Sequence, residues 1–374
     1  MLTNLAPRRR PSMFRSAVVL VALAAGVSAC SSGGKATDTT VAATTTSAPA
    51  ATTSAAPTTV AETSTTVAET TTTLPETTTT VAPAPTYALT GIENPDPAIA
   101  ARPALVVKID NAPGARPQSG FNEADIVFEE IVNDNLTRFA MVFQSGNASP
   151  VGPIRSGRIQ DINLFSALDH PLFAWSGGNA TVTAAVDASE LVNIGPSLAP
   201  VYFRTNDKMA PHNLYSSTDA LYSRTPAGSP AAKPLFQYRH DGVAPGGTPS
   251  PGLAAQLDSI DVRWDWDPAQ GLYLRQMEGR RHDDALSGQV STNNVVVLVM
   301  DYLPGISDSP DAQTIGTNEA FVLTGGNAIH GTWTRNEEHE GFTLTADDGS
   351  PILLQPGRTF VELPRVGHTL VIPG

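Results

Sequence analysis

Four short stretches of this 374-residue chain gather side chains of the kinds that bind anions or move protons. Lys108, Asp110 and Asn111 close a β-branched run, and Arg116 follows in the next loop. Glu129 and Glu130 are adjacent in a second apolar run, so in a strand one must face the opposite way from the other. Arg155, Ser156 and Arg158 sit in a Gly/Pro loop ahead of a helical pattern, and His212 and Asn213 follow Pro211. Two guanidinium groups beside the free N–H groups of a helix start suit a carboxylate or a phosphate. The candidate ligand set is therefore Lys108, Asp110, Asn111, Arg116, Arg155, Ser156, Arg158, His212 and Asn213. Asp110, Glu129, Glu130 and His212 are the groups that acid–base chemistry on a glycan would draw on.

Each candidate also has a plain structural use. Lys108 with Asp110 makes a surface pair. Glu129 or Glu130 can meet Arg138 across a hairpin, and Arg158 can meet Asp161 along a helix turn. Ser156 lacks the G-x-S-x-G setting of an activated serine. The seven histidines are scattered, with no H-E-x-x-H, and no phosphate-binding glycine loop or dinucleotide fingerprint occurs. The expectation is no metal and no cofactor. With no diagnostic catalytic spacing, binding is favoured over catalysis.

The elements that must position these groups follow from periodicity. Ala104–Ile109, Ile126–Val132 and Leu136–Phe143 read as strands, the last two joined by Asn133-Asp134-Asn135, a hairpin signal. Ile159, Ile162, Phe165 and Leu168 recur at helical intervals. A second helix is expected from Thr181 to about Leu191, a short one over Asp219–Arg224, and short strands at Leu172–Trp175 and Val201–Arg204. Lys233–Gly252, rich in Pro and Gly, marks a boundary. Beyond it short strands dominate: Ile260–Trp266, Leu272–Arg275, Val295–Tyr302, Phe321–Leu323, Ala328–Arg335, Phe342–Thr345, Ile352–Leu354, Phe360–Leu363 and Leu370–Ile372. The fold class expected is α+β: a mixed α/β N-terminal domain over residues 87–235, then a smaller, mostly antiparallel β domain over 253–374.

The N-terminal segment is of another kind. Arg8, Arg9, Arg10 and Arg15 precede an apolar run, Ala17–Val27, too short to span a bilayer comfortably. It ends in Val27-Ser28-Ala29-Cys30, a lipobox, and Cys30 is the sole cysteine. Residues 1–30 thus read as a lipoprotein signal, with Cys30 the lipidated residue. An intramolecular disulfide is excluded. Residues 31–86 are Thr-, Ala- and Pro-rich, and TTVAET occurs twice, at Thr58–Thr63 and Thr65–Thr70. Such a segment buries too little to order itself and reads as a tether with a reach on the order of 150 Å. The expected address is the outer face of the cytoplasmic membrane, anchored through Cys30 and projecting into the cell wall. A net charge of −13 argues against a nucleic-acid partner.

Several motifs together resemble a known family. They are Arg102–Gly120, Ala124–Glu130, Val151–Arg158, Phe173–Gly178 and Ala210–Tyr215, then Asn294–Tyr302, Gly331–Trp333 and Leu354–Leu363. In this order, from about Ala101 to Gly374, they resemble the YerB-like bacterial lipoproteins. That resemblance implies a two-part domain and an extracytoplasmic address, with no established activity. The family loop usually reads Arg-Ser-Ala-Arg, where this chain has Arg155-Ser156-Gly157-Arg158. Residue types and resemblance together point to a cell-envelope binding module for an anionic wall component or partner protein. The alternative is a glycan-directed hydrolase or transferase.

Overall fold

Runs of Val, Ile and Phe with one or both faces apolar make the strands, and polar Gly/Pro loops separate them. The computed structural model describes residues 85–372, except 198, 199 and 241. The signal segment, Cys30 and nearly all of the tether lie outside the described residues.

In the first half the strands are β1 (Leu105–Asp110), β2 (Ile126–Ile131), β3 (Thr137–Phe143), β4 (Leu172–Ala174) and β5 (Val192–Asn193), with a small hairpin of β6 (Phe203–Arg204) and β7 (Leu214–Tyr215). Besides a single turn at Pro97–Ala100, the helices are α1 (Gln160–Phe165), α2 (Ala180–Asp187) and α3 (Thr218–Tyr222). The second half supplies β8 (Gly252–Leu257), β9 (Ile260–Asp267), β10 (Leu272–Met277), β11 (Asn294–Leu298), β12 (Gly316–Thr324), β13 (Asn327–Arg335), β14 (Thr343–Ala346), β15 (Thr359–Glu362) and β16 (Thr369–Ile372).

The main sheet runs β14-β13-β12-β11-β15-β2-β3-β1-β4-β5, so strands of both halves share one ladder. The weld is β15, which pairs parallel to β11 on one side and to β2 on the other. A second sheet, centred on β10-β9-β8-β16, packs on one face of the first. Leu253, Trp264 and Tyr273 meet Val107, Ile109 and Phe139 in that interface. The opposite face is covered by α1, α2 and loops, through Leu164, Phe165, Val182 and Val186. Burying each such large side chain contributes about 1.5–3 kcal/mol, so both faces of the sheet are held firmly.

Several expectations need correction. The protein is mainly β, and its helices are short. The helix expected to reach Leu191 stops at Asp187, because the Ser189 hydroxyl donates to the Val186 carbonyl and accepts from the Leu191 N–H. Ile352–Leu354 is not a ladder strand: its N–H groups go to two different partners, Leu344 and Gln237. The run from Val295 leaves the ladder at Leu298, and the Met300 N–H turns to the Pro364 carbonyl. Of Val201–Arg204 only the last two residues pair.

Candidate functional site

The register of three strands builds the site. β3 lies between β1 and β2, and Arg138 stands opposite Asp110 on one side and Glu130 on the other. Residues directly opposite in an antiparallel pair share a face, so these three side chains rise from the same side of the sheet. The segment after cis-Gly152–Pro153 then runs alongside the end of β1. The Asp110 N–H donates to the Pro153 carbonyl at 2.9 Å, and the Arg155 N–H to the Lys108 carbonyl at 2.8 Å. This segment in turn carries β7, since the Ile154 N–H donates to the Leu214 carbonyl at 2.6 Å. Arg155 and the loop bearing His212 are thereby brought over Asp110.

Asp110 is the hub. Its Oδ2 lies 2.7 Å from His212 Nδ1 and 3.2 Å from Arg155 Nε, and its Oδ1 accepts the Ala112 N–H at 3.1 Å. Arg138 Nη1 donates to the Ser156 carbonyl at 2.6 Å. Arg158 donates from Nε and Nη2 to Asn133 Oδ1, at 3.0 and 2.8 Å, and from Nη1 to its neighbour's carbonyl. Ser156 Oγ and Ser176 Oγ are 3.4 Å apart beside them. Among the described residues, Arg155–Asp110 is the one carboxylate contact that these three guanidinium groups make. The electrostatics reflect it: burial, then the charges of Arg158 and Arg155, push Arg138 down to about 10. Burial likewise lowers Arg158, opposed by Asp161 and reinforced by Arg155. Half-buried cations crowded in this way are relieved by an anion.

One layer deeper the charges are matched. Lys108 Nζ bonds Glu130 Oε1 at 2.6 Å and Asp161 Oδ1 at 2.8 Å, with all three side chains fully buried. Gln160 Nε2 donates to Glu130 Oε2, and Asp161 Oδ2 accepts the Arg158 N–H. Burial, then Asp161, raises the Glu130 carboxyl to about 7. On the other face of the sheet Glu129 is bound by Arg275, Thr137 and Asn111. Arg275 also reaches Glu362, whose Oε1 accepts the Trp264 indole N–H at 2.9 Å.

Of the sequence candidates, the structure thus brings Asp110, Arg155, Ser156, Arg158 and His212 together. Lys108, Asn111, Glu129 and Glu130 are buried and spoken for, so they present nothing to a ligand or a glycan. The pairing expected between Glu130 and Arg138 does not form, because Lys108 takes the carboxylate. Arg116 donates to both oxygens of Asn111 and pairs with Glu278. Asn213 braces β6 against β7, accepting from Arg204 at 2.7 Å and donating to the Thr205 carbonyl. Arg138 was missed as a site residue. Its signal was available, since the Asn-Asp-Asn turn sets it opposite Glu130, but its alignment with Asp110 needs the tertiary pairing of β1 with β3. Gly157 is needed for close approach: a Cβ there would stand 2.7 Å from the Trp175 ring and 3.1 Å from Phe173. Among the described residues no group of three metal-ligating side chains occurs, and no helix is long and apolar enough to cross a membrane.

Comparison with known proteins places this architecture. Residues 89–230 match the N-terminal domain, and 254–361 the C-terminal domain, of the protein family of unknown function DUF3048. The chain belongs to the YerB-like family that joins these two domains. It is similar to the Bacillus subtilis (strain 168) protein YerB, named as a lipoprotein: 26% identical over 285 residues, covering 74% of this chain and 85% of that one. The crystal structure of Bacillus subtilis YerB superposes with a TM-score of 0.68 at 21% identity, covering 77% of this chain and 99% of that chain. That second likeness is one of fold.

Proposed function

We propose that this protein is a lipid-anchored, extracytoplasmic binding module that holds an anionic component of the cell envelope at Arg138, Arg155 and Arg158. The observation that carries the reading is the gathering of three half-buried guanidinium groups with a single carboxylate contact among them, Arg155 to Asp110, in a protein whose net charge is −13. Guanidinium forks match phosphate and carboxylate geometry, and partial burial strengthens each contact. The address rests on the Cys30 lipobox, the tether and the lipoprotein name of the Bacillus relative. The test is co-sedimentation of the detergent-purified protein with isolated sacculi at low and high salt. Pelleting that falls with salt, and is lost with Arg155→Ala plus Arg158→Ala, is expected. Equal pelleting of that variant removes the site assignment.

A second reading rests on Asp110 and His212. The buried carboxylate holds Nδ1, while Nε2 makes no hydrogen bond among the described residues. An imidazole oriented in this way is equipped to take a proton from water attacking a bound phosphoryl or glycosyl centre. Glu129 and Glu130, buried and paired, play no part in it. Soluble fragments released from sacculi by the protein, and not by His212→Ala, would establish this hydrolase or transferase; their absence leaves binding alone.

A further inference from the structure

We infer that the ligand is a linear polyanion that runs from the arginine cluster, past His212, to a second basic groove on the far side of the Pro113–Pro117 loop. The inference rests on the anion-site reading above and gives that ligand its form.

The surface is traced by contacts. From the arginine cluster, Arg155 leads through Asp110 to His212. The His212 ring abuts Gly114, where a Cβ would be 3.2 Å from it. Lys208, in the same loop as His212, donates to the Ala115 carbonyl at 2.7 Å and also to that of Pro117. Arg204 lies exposed on β6 beside this loop. Arg116, within the Pro113–Pro117 loop, opens onto a cavity of about 580 Å³ that Arg280 and Arg281 also line, with Glu278 paired to Arg116 and Asp283 paired to Arg281, so that three cations face two carboxylates there. Arg280 and Arg281 are both exposed on a short strand.

Charge bookkeeping separates this band from the rest of the molecule. It holds eight of the eighteen Lys and Arg of residues 85–374, against five carboxylates: Asp110, Asp134, Asp207, Glu278 and Asp283. The remaining ten cations share the molecule with twenty-seven carboxylates. A small anion needs only the three arginines. An excess of cations over carboxylates along this track, in an otherwise acidic protein, fits a chain of repeated charges, which the remaining surface repels and so confines to that track. Each added contact along a linked chain is made at high effective concentration, so affinity must rise with ligand length.

The experiment is isothermal titration of the detergent-purified protein with pyrophosphate, tripolyphosphate and long-chain polyphosphate, and with galacturonate oligomers of matched charge. Wild type is compared with Arg280→Ala plus Arg281→Ala, exposed positions remote from the cluster. The expected result is at least a tenfold gain in affinity per chain from tripolyphosphate to the long polymer. That gain is lost in the double variant, while tripolyphosphate binding stays unchanged. The galacturonate arm tells a carboxylate polymer from a phosphate polymer by which shows the larger gain. Short anions that bind with no length dependence overturn the polymer inference and leave the site reading standing. Failure of every anion to bind removes both.

Discussion

Two groups of charges stand a few residues apart on the same face of the same three strands, and they are built differently. Lys108, Glu130 and Asp161 are fully buried and mutually bonded, two carboxylates around one ammonium with Gln160 completing the set. Arg138, Arg155 and Arg158 are half-buried, and of their guanidinium groups only that of Arg155 meets a carboxylate among the described residues, that of Asp110. The first group is complete without a ligand; the second leaves positive charge over. Matched buried charge holds a fold in register, whereas unmatched charge at a rim is the mark of a binding surface.

The comparison breaks most visibly at Lys108. Lys108→Met leaves Glu130 and Asp161 facing each other in the core, and a loss of about 3–5 kcal/mol is expected, read as a lowered urea midpoint. An unchanged midpoint would mean that the triad does not hold the sheet.

The next largest effect is pH-dependent. Burial raises the Glu362 carboxyl to about 8, opposed by Arg275 and reinforced by neighbouring Glu129, and Glu362 Oε2 has no hydrogen-bond partner among the described residues. A carboxyl raised above its ordinary 4.5 contributes its full stability below that pH and loses it as pH climbs through about 8. Glu130, raised to about 7, acts in the same direction. The wild type should therefore lose stability between pH 5 and 8.5. Glu362→Gln, which keeps the neutral form, should recover on the order of 2–4 kcal/mol at pH 8.5 and almost nothing at pH 5. Thermal melts at the two pH values decide it, and identical shifts at both would refute the raised Glu362 carboxyl.

Gly157→Ala tests the seam between the two groups. Its Cβ would press on Trp175 and approach Asp161, so about 1–3 kcal/mol of destabilisation is expected, with weaker anion binding as the loop shifts. A melt indistinguishable from wild type would show that the loop moves freely.

The smallest expected effect carries the opposite sign. Arg138→Gln removes a half-buried cation from two like charges, so stability without ligand should hold within about 1 kcal/mol or improve. Added pyrophosphate should raise the wild-type melting temperature and barely move that of the variant, measured by calorimetry.

Much of this was legible in the residues. β1, β2, β3 and the turn between the last two follow from β-branched runs and an Asn-Asp-Asn sequence whose Asp134 and Asn135 take positive φ. The Arg155–Arg158 loop and His212 were visible as polar motifs. What was hidden depends on long-range pairing. Nothing local says that β15, near the end of the chain, lies against β2, or that Arg275 from the second half neutralises Glu129. Glu129 and Glu130 therefore looked available for chemistry when both are consumed by the core. The helix ending at Asp187 looked longer than it is because the Ser189 hydroxyl competes for backbone groups in a way periodicity does not register.

The central claim is that the unmatched arginines are an anion site, and the affinity of pyrophosphate at low salt tests it most directly. Titration should show binding by the wild type and at least a tenfold weaker constant for Arg155→Ala plus Arg158→Ala, with the two melting temperatures alike in buffer without anion. Equal affinity in the two proteins, or no binding by either, would contradict it.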